Sequence, residues 1–133
     1  MLRNMLDTDI CIYAMRERPP ELRDRFNRAA DRICISIITY MELAYGAEHS
    51  ANPERNRATL ADFAAAITVL DYDRRAAVHT GEIRALLKRA GTPIGPYDAM
   101  IAGHARARGL ALVSHSTADF SRVPGLEIED WAV

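Results

Sequence analysis

Short apolar runs alternate with helical patterns along this chain of 133 residues. The runs predicted to be strands are residues 3–9, 33–37, 67–72, 110–115 and 126–131. The segments predicted to be helices are residues 10–16, residues 21–31 after Pro19 and Pro20, a stretch that begins at Thr39, and residues 53–66, 74–90 and 96–108. Strands that alternate with helices favour a parallel sheet covered by helices on both faces. We therefore expect residues 1–133 to form one α/β domain.

The composition limits the compartment and the kind of partner. The net charge is −1, so a nucleic acid would have to meet a local basic patch instead of an overall positive field. Cys11 and Cys34 stand among apolar residues with no CxxC pair, which predicts buried free thiols. The sequence has no apolar stretch of the length needed to span a membrane and no signal peptide at its start. These features predict a cytoplasmic protein that does not enter a membrane.

Acidic residues recur just after predicted strands or in the first turns of helices. They are Asp7, Asp9, Glu42, Asp98 and Asp119. In a doubly wound sheet these positions gather at the carboxyl ends of the strands, where active sites of such folds lie. The sequence therefore predicts that these carboxylates meet at one edge of the sheet.

Each of these residues also has a local explanation. Asp9 is a possible N-cap for the helix at 10–16, and Glu42 completes the T-x-x-E pattern of a capping box with Thr39. Asp98 follows Pro96 by two positions, where a negative charge complements a helix dipole, and Asp119 suits a turn.

Together the acidic residues point to a cation. Two carboxylates about 4 Å apart repel by about 4 kcal/mol at an effective dielectric constant of about 20. Several of them would strain a marginally stable domain unless a cation lay between them. Oxygen ligands with no nearby histidine or cysteine suit Mg²⁺, with Mn²⁺ as a substitute. Such an ion is suited to hydrolysis of a phosphodiester. The residues leave open whether one ion binds or two.

Four segments in this order resemble the VapC toxins, the PIN-domain endoribonucleases of toxin–antitoxin pairs. The segments are MLDTDICIY (5–13), ISIITYMELAYGAE (35–48), GPYDAMIAGHARARGLALVS (95–114) and TADFSRVPGLEIEDW (117–131). The resemblance covers nearly the whole chain. It implies a PIN-like three-layer sandwich, with a five-stranded parallel sheet in the order 3-2-1-4-5.

The resemblance also implies a function. It implies Mg²⁺-dependent hydrolysis of RNA, with tRNA cut in the anticodon region, leaving 5′-phosphate and 3′-hydroxyl ends. Asp7, Glu42 and Asp98 would hold the ion, directly or through water, and Asp119 would assist. A VapB-type antitoxin would inhibit the enzyme by placing a basic side chain among the carboxylates, and two toxin copies would form a homodimer. The helices within residues 37–66 offer apolar surfaces for both contacts.

Three positions depart from the common family pattern. Asp9 stands where the family usually has Asn, which adds a carboxylate beside the ion. In VSHSTADF (113–120), His115 and Ser116 replace two Asn residues of the family's VTNNTxxF. Asp9 is therefore an accessory candidate as a ligand or a neighbour of the ion, and Ser116 is one because its short hydroxyl is able to act through water. Thr8 is a third accessory candidate, able to bond a metal-bound water or a neighbouring carboxylate.

RNA that approaches an acidic site needs basic or aromatic side chains around it. The candidates for RNA contact are Arg84, Lys88, Arg89, Tyr97 and His115. Arg106 and Arg108 on the following helix are further basic residues. Tyr97 suits stacking on a base, although its pattern favours a role in the core.

Three other functions share some of these features. The D-x-D of Asp7 and Asp9 also suits a haloacid-dehalogenase-type phosphatase, but Lys88 lies within a predicted helix, remote from a strand end. A response-regulator receiver would need a lysine after the strand LALVSH, which has none. A PIN-like binding module with weak catalysis is the non-enzymatic alternative, made conceivable by Ser116.

Overall fold

Parallel strands form a central sheet in this computed structural model, which describes residues 1–16 and 20–131. The strands are Asn4–Leu6 (β1), Ile33–Ser36 (β2), Thr68–Leu70 (β3), Ala111–Val113 (β4) and Ile128–Glu129 (β5). Their order is β3-β2-β1-β4-β5, and each neighbouring pair is parallel, which confirms the predicted sheet. The order reverses between β1 and β4, so a crevice opens at the carboxyl ends of these two strands.

Helices cover both faces of the sheet. They are Thr8–Met15 (α1), Pro20–Ala29 (α2), Ile37–Glu48 (α3), Pro53–Ala65 (α4), Arg74–Arg89 (α5), Pro96–Ala107 (α6) and Thr117–Phe120 (α7). Neighbouring strand residues alternate between two cores. Met5 and Leu112 pack with residues of α5 and α6, whereas Leu6 and Val113 pack with residues of α1 to α4. The fold is therefore the predicted three-layer sandwich.

The first strand is shorter than predicted, because Asp7 ends it. Asp7 has an extended backbone and its Oδ1 accepts a hydrogen bond from Ile10 N–H at 2.9 Å, which caps α1. The prediction of a strand over 3–9 with Asp9 as the N-cap is therefore wrong. Asp9 lies in the first turn of α1 instead.

The third helix begins two residues earlier than predicted. Ser36 is its N-cap, and Ser36 Oγ accepts a hydrogen bond from Ile38 N–H at 3.1 Å. Thr39 is therefore inside the helix and buried, and the predicted capping box between Thr39 and Glu42 is wrong. This change frees the Glu42 side chain for another contact.

The remaining elements agree with the sequence to within a few residues. The last three strands are shorter than predicted, and residues 117–120, where Asp119 was expected to form a turn, form the short helix α7. Pro19 lies outside the described residues, and α2 begins at Pro20. Cys11 and Cys34 are buried and free, as predicted. Among the helices described here, none has the length and apolar character needed to cross a membrane.

Candidate active site

Asp7 is a buried carboxylate at the carboxyl end of β1. Its exposed fraction is 3%. Burial raises the pKa of Asp7 to about 6, and the charges of Asp9 and Asp98 add to this, although hydrogen bonds from Ser114 and Ile10 oppose the rise. Because an ordinary aspartate has a pKa near 3.8, the Asp7 carboxyl group loses its proton at a higher pH than usual. Both of its oxygens have a fixed partner, so its orientation is set by the fold.

Ser114 is a partner of Asp7 that the sequence did not predict. It follows β4, is fully buried, and donates a hydrogen bond from Oγ to Asp7 Oδ2. Ser114 Oγ also accepts from Ser116 N–H at 2.9 Å, and Ser116 Oγ lies 3.3 Å from Asp9 Oδ2. The available signal was that Ser114 is the first hydroxyl residue after an apolar strand that pairs with β1. These serines connect the loop after β4 to the two aspartates after β1.

Thr8 orients Glu42. The Thr8 hydroxyl donates to Glu42 Oε1 at 2.6 Å and so joins α1 to α3. Glu42 is half-buried, which leaves part of its carboxylate open to solvent. Thr8 therefore contacts a neighbouring carboxylate, one of the contacts considered for it from the sequence.

Asp98 interacts electrostatically with the other acidic residues of the site. It lies half-buried in the first turn of α6. Burial raises the pKa of Asp98, and the negative charges of Glu42, Asp9 and Asp119 raise it further. Carboxylates from α1, α3, α6 and α7 thus share one electrostatic neighbourhood. Asp119 is exposed on α7, with Arg122 Nη1 at 3.7 Å from its Oδ1.

The acidic side chains around Asp98 offer oxygen atoms as ligands for a metal ion. Within residues 1–16 and 20–131, no three acidic, histidine or cysteine side chains lie close enough together to hold a metal ion jointly. Mg²⁺ usually takes one or two carboxylates and keeps several waters, so it does not require such a cage. The half-buried Asp98 beside three further negative charges fits a hard divalent cation on these terms.

The candidate RNA-contacting residues lie on α5, in the first turn of α6 and after β4. Arg84, Lys88 and Arg89 are exposed near the carboxyl end of α5, which six residues connect to the start of α6. Tyr97 is 48% exposed next to Asp98, so its predicted core role is wrong. His115 pairs through Nδ1 with Asp130 Oδ2 at 3.1 Å and packs against the edge of Tyr13.

Arg106 is hydrogen-bonded to residues of α5 and not to the acidic residues of the site. It donates to His79 Nδ1 at 2.8 Å and to Glu82 Oε1 at 2.7 Å, near the carboxyl end of α6. This end is remote along the helix from Asp98 in the first turn. Arg106 is therefore part of the packing between α5 and α6.

Comparison with known proteins identifies the family. The family model of the PIN domain matches residues 5–126. The chain is 56% identical over 131 residues to the tRNA(fMet)-specific endonuclease VapC of Salmonella typhimurium, covering 98% of this chain and 99% of that protein. It is 49% identical over 131 residues to the ribonuclease VapC2 of Haemophilus influenzae, covering 98% and 99% of the two chains.

Solved structures agree with the sequence matches. The toxin–antitoxin complex VapBC of Salmonella typhimurium, solved bound to DNA, contains a chain that matches with a TM-score of 0.95 at 56% identity, covering 98% of this chain and 99% of the other. VapBC2 of Rickettsia felis, bound to a fragment of its promoter, matches with a TM-score of 0.92 at 33% identity, with the same coverage.

Proposed function

Because the chain belongs to the VapC ribonucleases of the PIN-domain family, we propose that it is a divalent-metal-dependent endonuclease that cleaves tRNA(fMet) in the anticodon region. The observation that supports the metal dependence is the environment of Asp98, whose pKa is raised by burial and further by the negative charges of Glu42, Asp9 and Asp119. A site that gathers negative charge and offers only oxygen donors suits Mg²⁺, with Mn²⁺ as a substitute.

The proposal gives each acidic residue a role. Asp7 and Asp98 hold the ion, Glu42 joins them directly or through water, and Asp119 helps to hold a second ion or orients the nucleophile. When bound, the ion polarises the phosphate and lowers the pKa of an attacking water. Hydrolysis of the phosphodiester would join a water oxygen to phosphorus, break the bond from phosphorus to the 3′ oxygen and move a proton of the water to that oxygen, which leaves a 5′-phosphate and a 3′-hydroxyl.

The surrounding residues prepare the site for this reaction. Ser114 and Ile10 hold the Asp7 carboxylate in one orientation, and Thr8 holds Glu42. Because the pKa of Asp7 is about 6, the carboxylate is ionised and ready to bind a cation at neutral to alkaline pH. Asp9 and Ser116 contact each other beside it and act as accessory groups.

RNA binding is assigned to side chains near the site. Arg84, Lys88 and Arg89 offer exposed positive charge for phosphates, and the exposed Tyr97 offers a ring for stacking on a base. His115 would contact a phosphate in competition with Asp130.

Inhibition by a VapB-type antitoxin is also part of the proposal. A cleft of about 880 Å³ runs between α1, α3 and α4, and Glu42 lies on its wall. Apolar residues such as Ile12, Met15 and Leu60 line this cleft. An antitoxin segment that occupied it would bring a basic side chain to the carboxylates. We further propose a homodimer in the cytoplasm, with residues 1–133 as one PIN domain.

Cleavage of purified tRNA tests the function. The chain is incubated with labelled tRNA(fMet) and bulk tRNA, with Mg²⁺ or with excess chelator, beside Asp98→Asn and Asp62→Asn. Asp62 is an exposed residue of α4 and is not among the charges that raise the pKa of Asp98. We expect a single cut in the anticodon region that requires the metal, is lost in D98N and is retained in D62N.

Other outcomes separate the alternatives. Cleavage that persists in chelator, or in D98N, would contradict the metal-dependent mechanism. A chain that cleaves no RNA but binds an antitoxin would be the weakly catalytic binding module. The phosphatase alternative has no support in the fold, because Lys88 lies exposed on α5 and the family is that of the PIN ribonucleases.

A further inference from the structure

His104 is a fully buried histidine on α6 that takes no part in the chemistry proposed above. Its Nδ1 lies 2.8 Å from Oγ of Ser36, which is also fully buried. Its Nε2 is buried and has no hydrogen-bond partner among the described residues. Burying an imidazole with one nitrogen unpaired costs free energy that an apolar side chain would avoid. The buried pair is therefore a costly feature of the protein interior.

The pair joins two helices that carry active-site carboxylates. Ser36 is the N-cap of α3, and Glu42 follows it by six residues. His104 is on α6, and Asp98 precedes it by six residues. At a rise of 1.5 Å per residue, each carboxylate lies about 9 Å along its helix from the Ser36–His104 bond. The Ser36–His104 bond therefore connects α3, which carries Glu42, to α6, which carries Asp98.

A neighbouring side of α6 is held by α5. A Cβ atom on Gly103 would lie 2.7 Å from the backbone nitrogen of Thr80, so the two backbones are in direct contact there. Tyr72 donates a hydrogen bond to Thr80 Oγ1 at 2.8 Å, and its ring packs edge-on against His104 at 5.6 Å between centroids. α6 is therefore held against α5 at the level where His104 contacts Ser36, the residue that ends β2 and caps α3.

We infer that Ser36 and His104 form a positioning pair that sets the separation of Glu42 and Asp98 for metal binding. His104 touches neither the substrate nor the ion and acts through the two helices. Glu42 and Asp98 repel each other when both are ionised, so α3 would move away from α6 if the bond were lost. The inference rests on the proposed metal-dependent function and adds to it the residues that hold the two carboxylates at their working distance.

The positioning role of Ser36 and His104 is tested by comparing the metal affinity of matched variants. Mn²⁺ binding to the metal-stripped full chain is measured at pH 8 by electron paramagnetic resonance for the wild type, His104→Leu and His104→Asn. Loss of the hydrogen bond in H104L is expected to weaken Mn²⁺ binding by about tenfold. The H104N side chain keeps a polar atom close to the position of Nδ1, so it should restore the affinity to within about threefold of the wild type.

Thr80→Val is the control for general loosening of the core. It removes another buried hydroxyl next to α6, the one bonded to Tyr72, and leaves the Ser36–His104 bond in place. Urea unfolding of each variant gives its loss of stability. We expect T80V to lose stability with little change in Mn²⁺ affinity. If T80V and H104L weaken Mn²⁺ binding equally at equal loss of stability, the positioning role is overturned.

A crystal structure of H104L gives a second readout that does not depend on metal. We expect a larger distance between the Glu42 and Asp98 carboxyl carbons with unchanged packing between α5 and α6. An unchanged distance would overturn the inference. If the wild type binds no Mn²⁺ but the carboxylates separate in H104L, the proposed function fails while the positioning pair stands. His104→Phe, which keeps a planar ring but has no hydrogen-bonding atom, replaces H104L in both measurements if that variant does not fold.

Discussion

Ser114 Oγ donates a hydrogen bond to Asp7 Oδ2, and this bond joins the carboxyl ends of the neighbouring strands β4 and β1. The two residues are 107 positions apart in the chain and both are buried. Ile10 N–H binds the other oxygen of the same carboxylate at 2.9 Å. A buried charge is tolerated when it is hydrogen-bonded in this way. The bond thus makes it possible to keep an ionised carboxylate at the crevice between the two strands.

Replacing Ser114 with alanine should destabilise the protein most at alkaline pH. The change removes a donor from a buried carboxylate, which costs about 1–3 kcal/mol when Asp7 is ionised. The pKa of Asp7 should rise above about 6, because the Ser114 hydrogen bond lowers it in the wild type. Urea unfolding at pH 8 and pH 5, with a carbon-13 NMR titration of Asp7, measures both effects. Ser121→Ala removes an exposed hydroxyl that binds only a backbone carbonyl and serves as the control. Equal stability of S114A and the wild type at pH 8 would contradict the argument.

The raised pKa of Asp7 predicts a specific dependence of stability on pH. Since Asp7 has a pKa of about 6 in the folded chain and 3.8 ordinarily, the folded state binds the proton more tightly. The free energy of unfolding should therefore fall as the pH rises from about 4 through about 6, by about 3 kcal/mol for this group. Asp7→Asn should remove this part of the pH dependence and be more stable than the wild type at pH 8, while losing nuclease activity. Parallel unfolding curves at a series of pH values test this, and a D7N variant less stable at pH 8 would refute it.

Divalent metal should stabilise the chain in a pH-dependent manner. A ligand that binds only the folded state raises the free energy of unfolding, by about 2.7 kcal/mol at a free concentration 100 times its dissociation constant. Protons compete for Asp7 and Asp98, whose pKa values are raised, so stabilisation by Mn²⁺ should fade as the pH drops below about 6. Thermal unfolding with and without Mn²⁺ measures this. D98N should abolish the effect and D62N should retain it; stabilisation of equal size in D98N would place the ion elsewhere.

Two glycine substitutions in the α5–α6 hairpin should have opposite effects. A Cβ on Gly103 would lie 2.7 and 2.8 Å from backbone atoms of Thr80, so Gly103→Ala should cost about 1–3 kcal/mol or more. A Cβ on Gly81 meets no atom within 4 Å, and the residue is exposed inside α5. Gly81→Ala should therefore stabilise the chain by about 0.5–1 kcal/mol through helix propensity. Urea unfolding of both variants measures these changes in the free energy of unfolding. If G103A is as stable as the wild type, α5 and α6 separate easily.

Thr8 offers a test of how Glu42 is oriented. Thr8→Val keeps the shape of the side chain but removes the hydroxyl that donates to Glu42 Oε1 at 2.6 Å. We expect about a tenfold loss in Mn²⁺ affinity and in cleavage rate, because a hydrogen bond to a charged group is lost. Thr8→Ser keeps the hydroxyl and should recover most of both quantities. If T8S behaves like T8V, packing of the methyl group and not the hydrogen bond is what matters at this position.

The sequence by itself determined the layers of the fold and the edge of the sheet at which the carboxylates would be found. Apolar runs and helical periods are local signals, and strands joined through helices pair in parallel. Because parallel strands end at one edge of their sheet, the positions of Asp7 and Asp98 after strands or at helix starts were enough to predict their location. The roles of these residues as metal ligands remain predictions.

Only the tertiary structure decided which groups hold those carboxylates. The cap of α1 belongs to Asp7 and not to Asp9, since the strand ends where the carboxylate finds the amide of Ile10. The partners Ser114 of Asp7 and Thr8 of Glu42 lie 107 and 34 positions away in the chain, and Ser36 and His104 are 68 positions apart. No local pattern encodes such pairs. A hydrogen bond depends on the separation and direction of two atoms, and these are defined only when the strands and helices have packed.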